Sequence, residues 1–324
     1  MSRGLANFEF HDLKPALADF RREVVAGLRQ RPRVIAPKFF YDEAGSKLFD
    51  RITRLEAYYP TRTEIGLFRT HGQAMADLLG RGAALIELGS GSDLKIRAVL
   101  DALAPVEYLP LDISGIHLRA AASSIARDYP DIQVRATCVD YTRQFSLPPI
   151  APGLHRVAFY PGSSIGNFEP GQVLELLGWI ADMVGVDGRL LVGVDLKKDT
   201  ARLNSAYNDP EGVTAAFNRN LLVRMQAELG ASLELEAFAH EAFYNAGLGR
   251  IEMHLRATRP TVIRLDGDVF EFAAGEGIHT ESSYKYTVDE FVALAALAGF
   301  RSEQVWCDDE SLFSVHCLRV NPRR

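Results

Sequence analysis

At 324 residues the chain can form one large domain or two modest ones with an ample core. Its 47% hydrophobic and 24% charged residues are ordinary for a soluble protein, and a formal charge of −6 weighs against a nucleic-acid binder, which needs a basic face. Cys138, Cys307 and Cys317 lie far apart without a C-x-x-C, Met1–His11 has no apolar signal core, and no apolar run approaches membrane-spanning length, so a reduced cytoplasmic protein without a membrane partner is expected.

Leu13 to Leu28 reads as an amphipathic helix, with Leu13, Leu17, Phe20, Val24 and Leu28 on one face. Two aromatic knots follow: Pro37-Lys38-Phe39-Phe40-Tyr41-Asp42-Glu43-Ala44-Gly45-Ser46 ahead of Leu48-Phe49, and Tyr58-Tyr59-Pro60-Thr61-Arg62-Thr63-Glu64. Neither has the spacing of a single amphipathic face. Their rings either fill the core of an N-terminal lobe or line a pocket, where a ring packs while its hydroxyl reaches a ligand.

From Glu64 to about Leu196, strand and helix patterns alternate. Strands are expected at Ala83–Leu88, Glu107–Leu111, Ile132–Cys138, Arg156–Tyr160 and Arg189–Val194, with helices at Leu94–Leu103, Ile116–Tyr129 and Pro170–Met183. Such alternation predicts a mostly parallel, doubly wound sheet. Lys197 to Lys285 breaks the rhythm. Helices at Ala201–Asn208 and Val213–Leu229 precede strands around Ala242–Tyr244, Arg250–Ala257, Thr261–Leu265 and Val269–Ala273, which reads as an insertion forming a second lobe with the first sixty residues. Thr287-Val288-Asp289-Glu290 then has the form of a capping box opening a helix over Val288–Leu297, stopped at Gly299. Gln304–Cys307 and Leu312–Val320 close the chain as an antiparallel hairpin.

The chemistry centres on Leu85-Ile86-Glu87-Leu88-Gly89-Ser90-Gly91-Ser92-Asp93-Leu94-Lys95, a strand, a glycine turn and the start of a helix. This is the opening of a nucleotide-binding βαβ unit, in which Gly89 permits the turn and Gly91 lets the backbone approach a ligand. Asp112 ends the second strand about 20 residues further on, where an acid accepts ribose hydroxyls. Asp140 and Tyr141 end the third and suit an adenine, and the fourth runs into Tyr160-Pro161-Gly162-Ser163-Ser164-Ile165-Gly166-Asn167. A dinucleotide fits poorly, since Leu94 replaces the third glycine of G-x-G-x-x-G. S-adenosylmethionine fits better: it has no pyrophosphate, its sulfonium suits an acid-lined rim, and Lys95 can pair with its carboxylate. The expected fold is therefore α/β, a doubly wound, mostly parallel seven-stranded methyltransferase sheet with a C-terminal antiparallel hairpin, plus an α+β substrate lobe. Residues 60–196 and 286–324 form the cofactor domain in this reading, and 1–59 and 197–285 the substrate domain.

Over nearly its full length the chain resembles the histidine Nα-methyltransferases of ergothioneine biosynthesis. The resemblance rests on Pro37–Asp42, Tyr58–Glu64, Glu87–Gly91, Gly162–Asn167, Thr214-Ala215-Ala216-Phe217-Asn218-Arg219-Asn220 and Thr280-Glu281-Ser282-Ser283. It implies trimethylation of the α-amine of L-histidine to hercynine, with Asn167 and Tyr207 on the amino-acid head group. It also implies Tyr41, Phe49, Tyr58 and Gly162 lining the pocket, Met253 nearby, and Glu281 and Ser283 on the imidazole. On the cofactor side Gly89, Ser90, Gly91, Lys95, Asp112, Asp140 and Tyr141 match; Tyr141 stands where Phe is also expected in relatives. Glu281 and Ser283, two apart, share a face on an extended segment, where a carboxylate and a hydroxyl can take both imidazole nitrogens.

Transfer from a sulfonium is an in-line displacement, so positioning of the amine dominates. Tyr41, acting through water, is the candidate proton acceptor beside Asn167, and the rings of Tyr41, Phe49 and Tyr58 can surround a quaternary ammonium. The histidines form no H-x-x-x-H or His/Cys cluster, so no metal is expected, and Gly-Ser-Ser near Ser163 is no serine-hydrolase elbow. The alternatives are an N-methyltransferase for another amino acid such as tryptophan or a derivative, a nicotinamide-dependent oxidoreductase, or a non-catalytic cofactor sensor. The sequence specifies no oligomer, and a monomer is compatible with it.

Overall fold

The computed structural model describes residues 5–13, 17–90, 93–143 and 145–322. The chain opens with β1 (Phe8–Asp12), α1 (Leu17–Arg29), β2 (Arg33–Val34), α2 (Glu43–Ile52) and α3 (Tyr59–Leu79). It continues through β3 (Ala84–Leu88), α4 (Asp93–Leu103), β4 (Glu107–Asp112), α5 (Gly115–Asp128), β5 (Gln133–Cys138), β6 (Arg156–Tyr160), α6 (Pro170–Val184) and β7 (Arg189–Asp195). Next come α7 (Thr200–Tyr207), α8 (Val213–Leu229), β8 (Phe238–Asn245), β9 (Arg250–Ala257), β10 (Thr261–Leu265), β11 (Asp268–Phe272) and β12 (Gly277–Tyr284). α9 (Val288–Leu297), β13 (Phe300–Cys307) and β14 (Phe313–Val320) end it. Two compact units result: unit 1, Met1–Lys14, Pro60–Lys197 and Lys285–Arg324, and unit 2, Pro15–Tyr59 and Lys198–Tyr284.

Unit 1 is built on an eight-stranded sheet in the order β1-β5-β4-β3-β6-β7-β14-β13. The strands through β7 pair in parallel, and β14 and β13 add antiparallel at the far edge. All seven strands read from the sequence are present, and β1 is an eighth that the sequence reading did not include. Its Phe-Glu-Phe-His-Asp alternates as a strand with one covered face should, but it precedes the first helix and lies outside the strand–helix alternation that marked the others. Pairing with β5 draws the opening residues into unit 1 rather than the second lobe. Leu13, expected on the first helix, lies past β1 and is 53% exposed. Every residue of β3 is buried, as befits a parallel strand covered on both faces. Strand order reverses between β3 and β6, so their carboxyl ends frame the rim where open α/β sheets bind ligands.

The second aromatic knot proves to be mainly the start of α3. Pro60 is tolerated in its first turn, and Leu67, Phe68, Met75 and Leu79 are buried from its length. At α9 the capping box forms: Thr287 Oγ1 accepts from Glu290 N at 3.1 Å, and Glu290 accepts from Thr287 N at 2.7 Å. Where the long insertion leaves and rejoins unit 1, the chain is tied to itself. Lys197 N donates to Tyr286 O at 2.9 Å, Tyr286 N donates to Asp195 O at 3.2 Å, and Lys285 Nζ sits 2.7 Å from Asp195 with both side chains buried.

Unit 2 holds a four-stranded sheet, β2-β12-β9-β8, and the β10-β11 hairpin. Helices α7 and α8 pack on β8, α8 also on β9, and α2 packs on α8. A bulge interrupts β12. His279 pairs with His254, but Glu281 pairs with Met253 and Ser283 with Ile251, so Thr280 is the extra residue. Thr280 Oγ1 donates to Asn218 Oδ1 on α8 at 2.7 Å. Glu281 and Ser283 therefore lie on the helix-covered face with Met253, and His279 lies on the other.

Candidate active site

The rim of unit 1 starts at β3. Gly89 takes a φ of +76°, a left-handed conformation that disfavours a Cβ, and its N–H and that of Ser90 both donate to Leu111 O, at 2.9 and 3.1 Å. A Cβ on Gly89 would come within 3.3 Å of the Tyr141 hydroxyl, so the missing side chain admits that ring over the turn. Tyr141 packs edge-on to Tyr160 with centroids 6.0 Å apart, and desolvation raises its phenol above the ordinary range. Gly91 lies outside the described residues.

Beneath the turn, the buried Glu87 accepts a short hydrogen bond from the Tyr108 hydroxyl, which lies 3.2 Å from Ser90 Oγ. Desolvation pushes Glu87 up to about 7 against the opposing hydrogen bonds from Tyr108 and Ser90. At the end of β4, Asp112 accepts from Ser114 N at 2.7 Å; desolvation raises it to about 6. After β5, Asp140 is buried and accepts from Thr142 N at 3.1 Å. The rim thus carries three acids at successive strand ends.

A fourth acid, absent from the candidate set, ties the rim together. Glu64 on α3 is fully buried, and its two oxygens accept from Gly162 N at 2.9 and 3.0 Å. Its Oε2 is 2.7 Å from Lys95 Nζ. Lys95, expected to meet a ligand carboxylate, is thus already paired with a protein carboxylate. Space for Glu64 depends on Gly193, where a Cβ would lie 2.0 Å from Glu64 Oε1. Gly162 opens the turn that leads, through a 3₁₀ segment over Ser164–Asn167, to the half-buried Asn167.

Unit 2 gathers the aromatic candidates. Tyr41 lies 5.7 Å from Phe49, Phe49 lies 6.3 Å from Tyr58, and Tyr58 lies 6.4 Å from Tyr207, centroid to centroid. Phe217 sits among them, 5.6 Å from Tyr41 and 5.9 Å from Phe49. It lies in the quoted Thr214–Asn220 stretch but was not among the candidates, since a Phe inside a helix reads as core. The Tyr207 hydroxyl donates to Ser283 Oγ at 2.9 Å, joining α7 to β12 beside Glu281. Met253 is buried and stands across from Glu281.

The candidates thus fall into two sets. Gly89, Ser90, Lys95, Asp112, Asp140, Tyr141, Gly162 and Asn167 belong to unit 1, and Tyr41, Phe49, Tyr58, Tyr207, Met253, Glu281 and Ser283 to unit 2. Glu64 and Glu87 were missed as site residues, although an acid inside the apolar run of β3 is itself a signal, because a buried carboxylate needs a reason.

Residues 20–320 match a family described as "Histidine-specific methyltransferase, SAM-dependent". The chain is 42% identical over 322 residues to the histidine N-alpha-methyltransferase of Mycolicibacterium smegmatis, covering 97% of this chain and 98% of that one. It is 41% identical over 302 residues to the protein of the same name from Mycobacterium tuberculosis, covering 91% and 93%. Ergothioneine biosynthesis protein 1 of Neurospora crassa is 30% identical over 299 residues, covering 89% of this chain and 34% of that protein.

Proposed function

Since the chain belongs to the S-adenosylmethionine-dependent, histidine-specific methyltransferases, we propose that it trimethylates the α-amine of L-histidine to hercynine, the first step of ergothioneine biosynthesis. The observation that carries the substrate is the pairing of Tyr207 with Ser283 beside Glu281. With Ser283 Oγ accepting from Tyr207, the serine's own hydrogen can be given to a ring nitrogen, while the Glu281 carboxylate can accept the N–H of the other. A neutral imidazole offers one donor and one acceptor, so this polarity suits it. An indole offers a single donor and no acceptor, so only the Glu281 half of this arrangement could engage it, which disfavours tryptophan.

The rim residues fit S-adenosylmethionine. The Cβ-free turn at Gly89 brings the Tyr141 ring over the end of β3, Asp112 suits ribose hydroxyls, and Asp140 and Tyr141 suit the adenine. Lys95, steered by Glu64, suits the carboxylate of the methionine half. When bound, this cofactor supplies an electrophilic methyl group on a cationic sulfur. The chain's own work is positioning and proton management. The amino-acid head group is assigned to Asn167 and Tyr207, and Tyr41, through water, relays toward solvent the proton that the ammonium sheds after each transfer, so that the nitrogen lone pair can attack again. After the third methylation the quaternary ammonium can donate no hydrogen bond, and the faces of Tyr41, Phe49 and Tyr58 accommodate it.

Mass spectrometry after incubation with S-adenosylmethionine and all twenty amino acids tests this reading. Histidine alone should gain three methyl groups. Methylation of tryptophan in preference to histidine would overturn the substrate assignment, and absence of methyl transfer to any amino acid would overturn the activity.

A further inference from the structure

The face of the unit 2 sheet opposite α7 and α8 carries a cluster that methyl transfer does not use. Glu252 and His254 stand two apart on β9 and share that face, and His279 on β12 lies directly across from His254. One donor atom from each of the three lies within 4.8 Å of the others. Glu252 Oε2 is 3.1 Å from His254 Nε2. Glu252 and His254 are buried, and His279 is half-buried.

The donors are also held from behind. Glu252 Oε1 accepts from Arg250 Nε at 3.0 Å and Asn245 Nδ2 at 3.1 Å, which turns Oε2 toward His254. His279 Nε2 bonds the Glu281 carbonyl oxygen at 2.9 Å and lies 3.3 Å from Ser282 Oγ. Phe243 stacks on His254 with centroids 5.6 Å apart, and His279 flanks the same ring at 4.9 Å. Two imidazoles and a carboxylate, with Glu252 and His279 hydrogen-bonded outside the set and His254 stacked on Phe243, form the donor combination that binds zinc-like ions with one position left to water. Such an ion sits about 2 Å from each donor, so atoms within 4.8 Å of one another can converge on it by side-chain rotation. An H-x-x-x-H search misses this set because it is assembled across two strands.

We propose that Glu252, His254 and His279 bind a divalent transition-metal ion of the zinc class. The ion braces β12 at its bulge, on the face opposite Glu281. Metal binding itself does not depend on the methyltransferase reading.

The full-length chain, stripped by chelator and kept free of L-histidine (itself a chelator), is titrated with Co2+ and then Zn2+. One equivalent of Co2+ should bind with the visible absorption of a low-coordinate site, and Zn2+ should displace it. X-ray absorption of the unaltered, zinc-loaded chain should show imidazole nitrogen and oxygen without sulfur. His254→Asn and His279→Gln, checked for folding by circular dichroism, should each weaken binding by about 100-fold. Fewer than one equivalent bound, sulfur ligation through a cysteine, or unchanged affinity in both folded variants would overturn the proposal.

Discussion

Glu64 and Glu87 are both buried carboxylates of unit 1, and their neighbours set them apart. Glu64 has a lysine and a backbone N–H, whereas Glu87 has hydroxyl partners and is pushed to about 7. Removing the charge of Glu64 strands Lys95, so Glu64→Gln should cost about 3–5 kcal/mol in urea unfolding, and a Glu64→Gln/Lys95→Met pair should cost less than Glu64→Gln alone. Glu87 acts through pH. Its folded value lies above the unfolded 4.5, so the native state holds the proton more tightly. Its contribution is complete below about pH 4.5 and is lost as pH rises through 7. Between those limits the ligand-free chain should lose about 3 kcal/mol relative to Glu87→Gln, and parallel pH profiles would refute this. On the substrate side, Glu281→Ala should lower kcat/KM for histidine by about 10- to 100-fold, the worth of a hydrogen bond to a charged group, in a steady-state methyl-transfer assay.

Elements fix which of these residues meet. Gly193 in β7 gives Glu64 its room, so Gly193→Ala should destabilise by about 1–3 kcal/mol and weaken S-adenosylhomocysteine binding in calorimetry; unchanged binding would separate Glu64 from the cofactor. The regular elements were largely legible because β3 is an apolar run leading into a glycine turn, α8 runs from Gly212 to Gly230, and α9 opens on a capping box and stops at Gly299. β1 stands before the first helix, apart from the alternating strand–helix run that marked the other strands, and α3 was hidden because its first turn looks like an aromatic knot. The spacing of Glu281 and Ser283 was legible, but the bulge at Thr280 was not. A strict alternation would put His279 on their face, and the register shift puts it on the other. Glu64 was illegible for a different reason. Its partners Lys95, Gly162 and Gly193 are far away in sequence, and only the folded sheet brings them to one carboxylate.

At the scale of the molecule, the two sets of site residues predict two separate footprints in hydrogen exchange. S-adenosylhomocysteine should protect the amides of Gly89–Ser90, Asp112–Ser114 and Asp140–Arg143 in unit 1. L-Histidine should protect Thr280–Tyr284 in β12, and a histidine footprint that spares β12 would contradict the roles given to Glu281 and Ser283. The tie among Asp195, Lys197, Lys285 and Tyr286 bears on how such an enzyme diversifies. The long insertion springs from a stem whose two arms are already stitched together by backbone hydrogen bonds and a buried ion pair. The parent sheet is thus sealed at the graft point. Recombination or design can exchange what lies beyond the stem for a segment with a different appetite, while the scaffold beneath keeps its strand register.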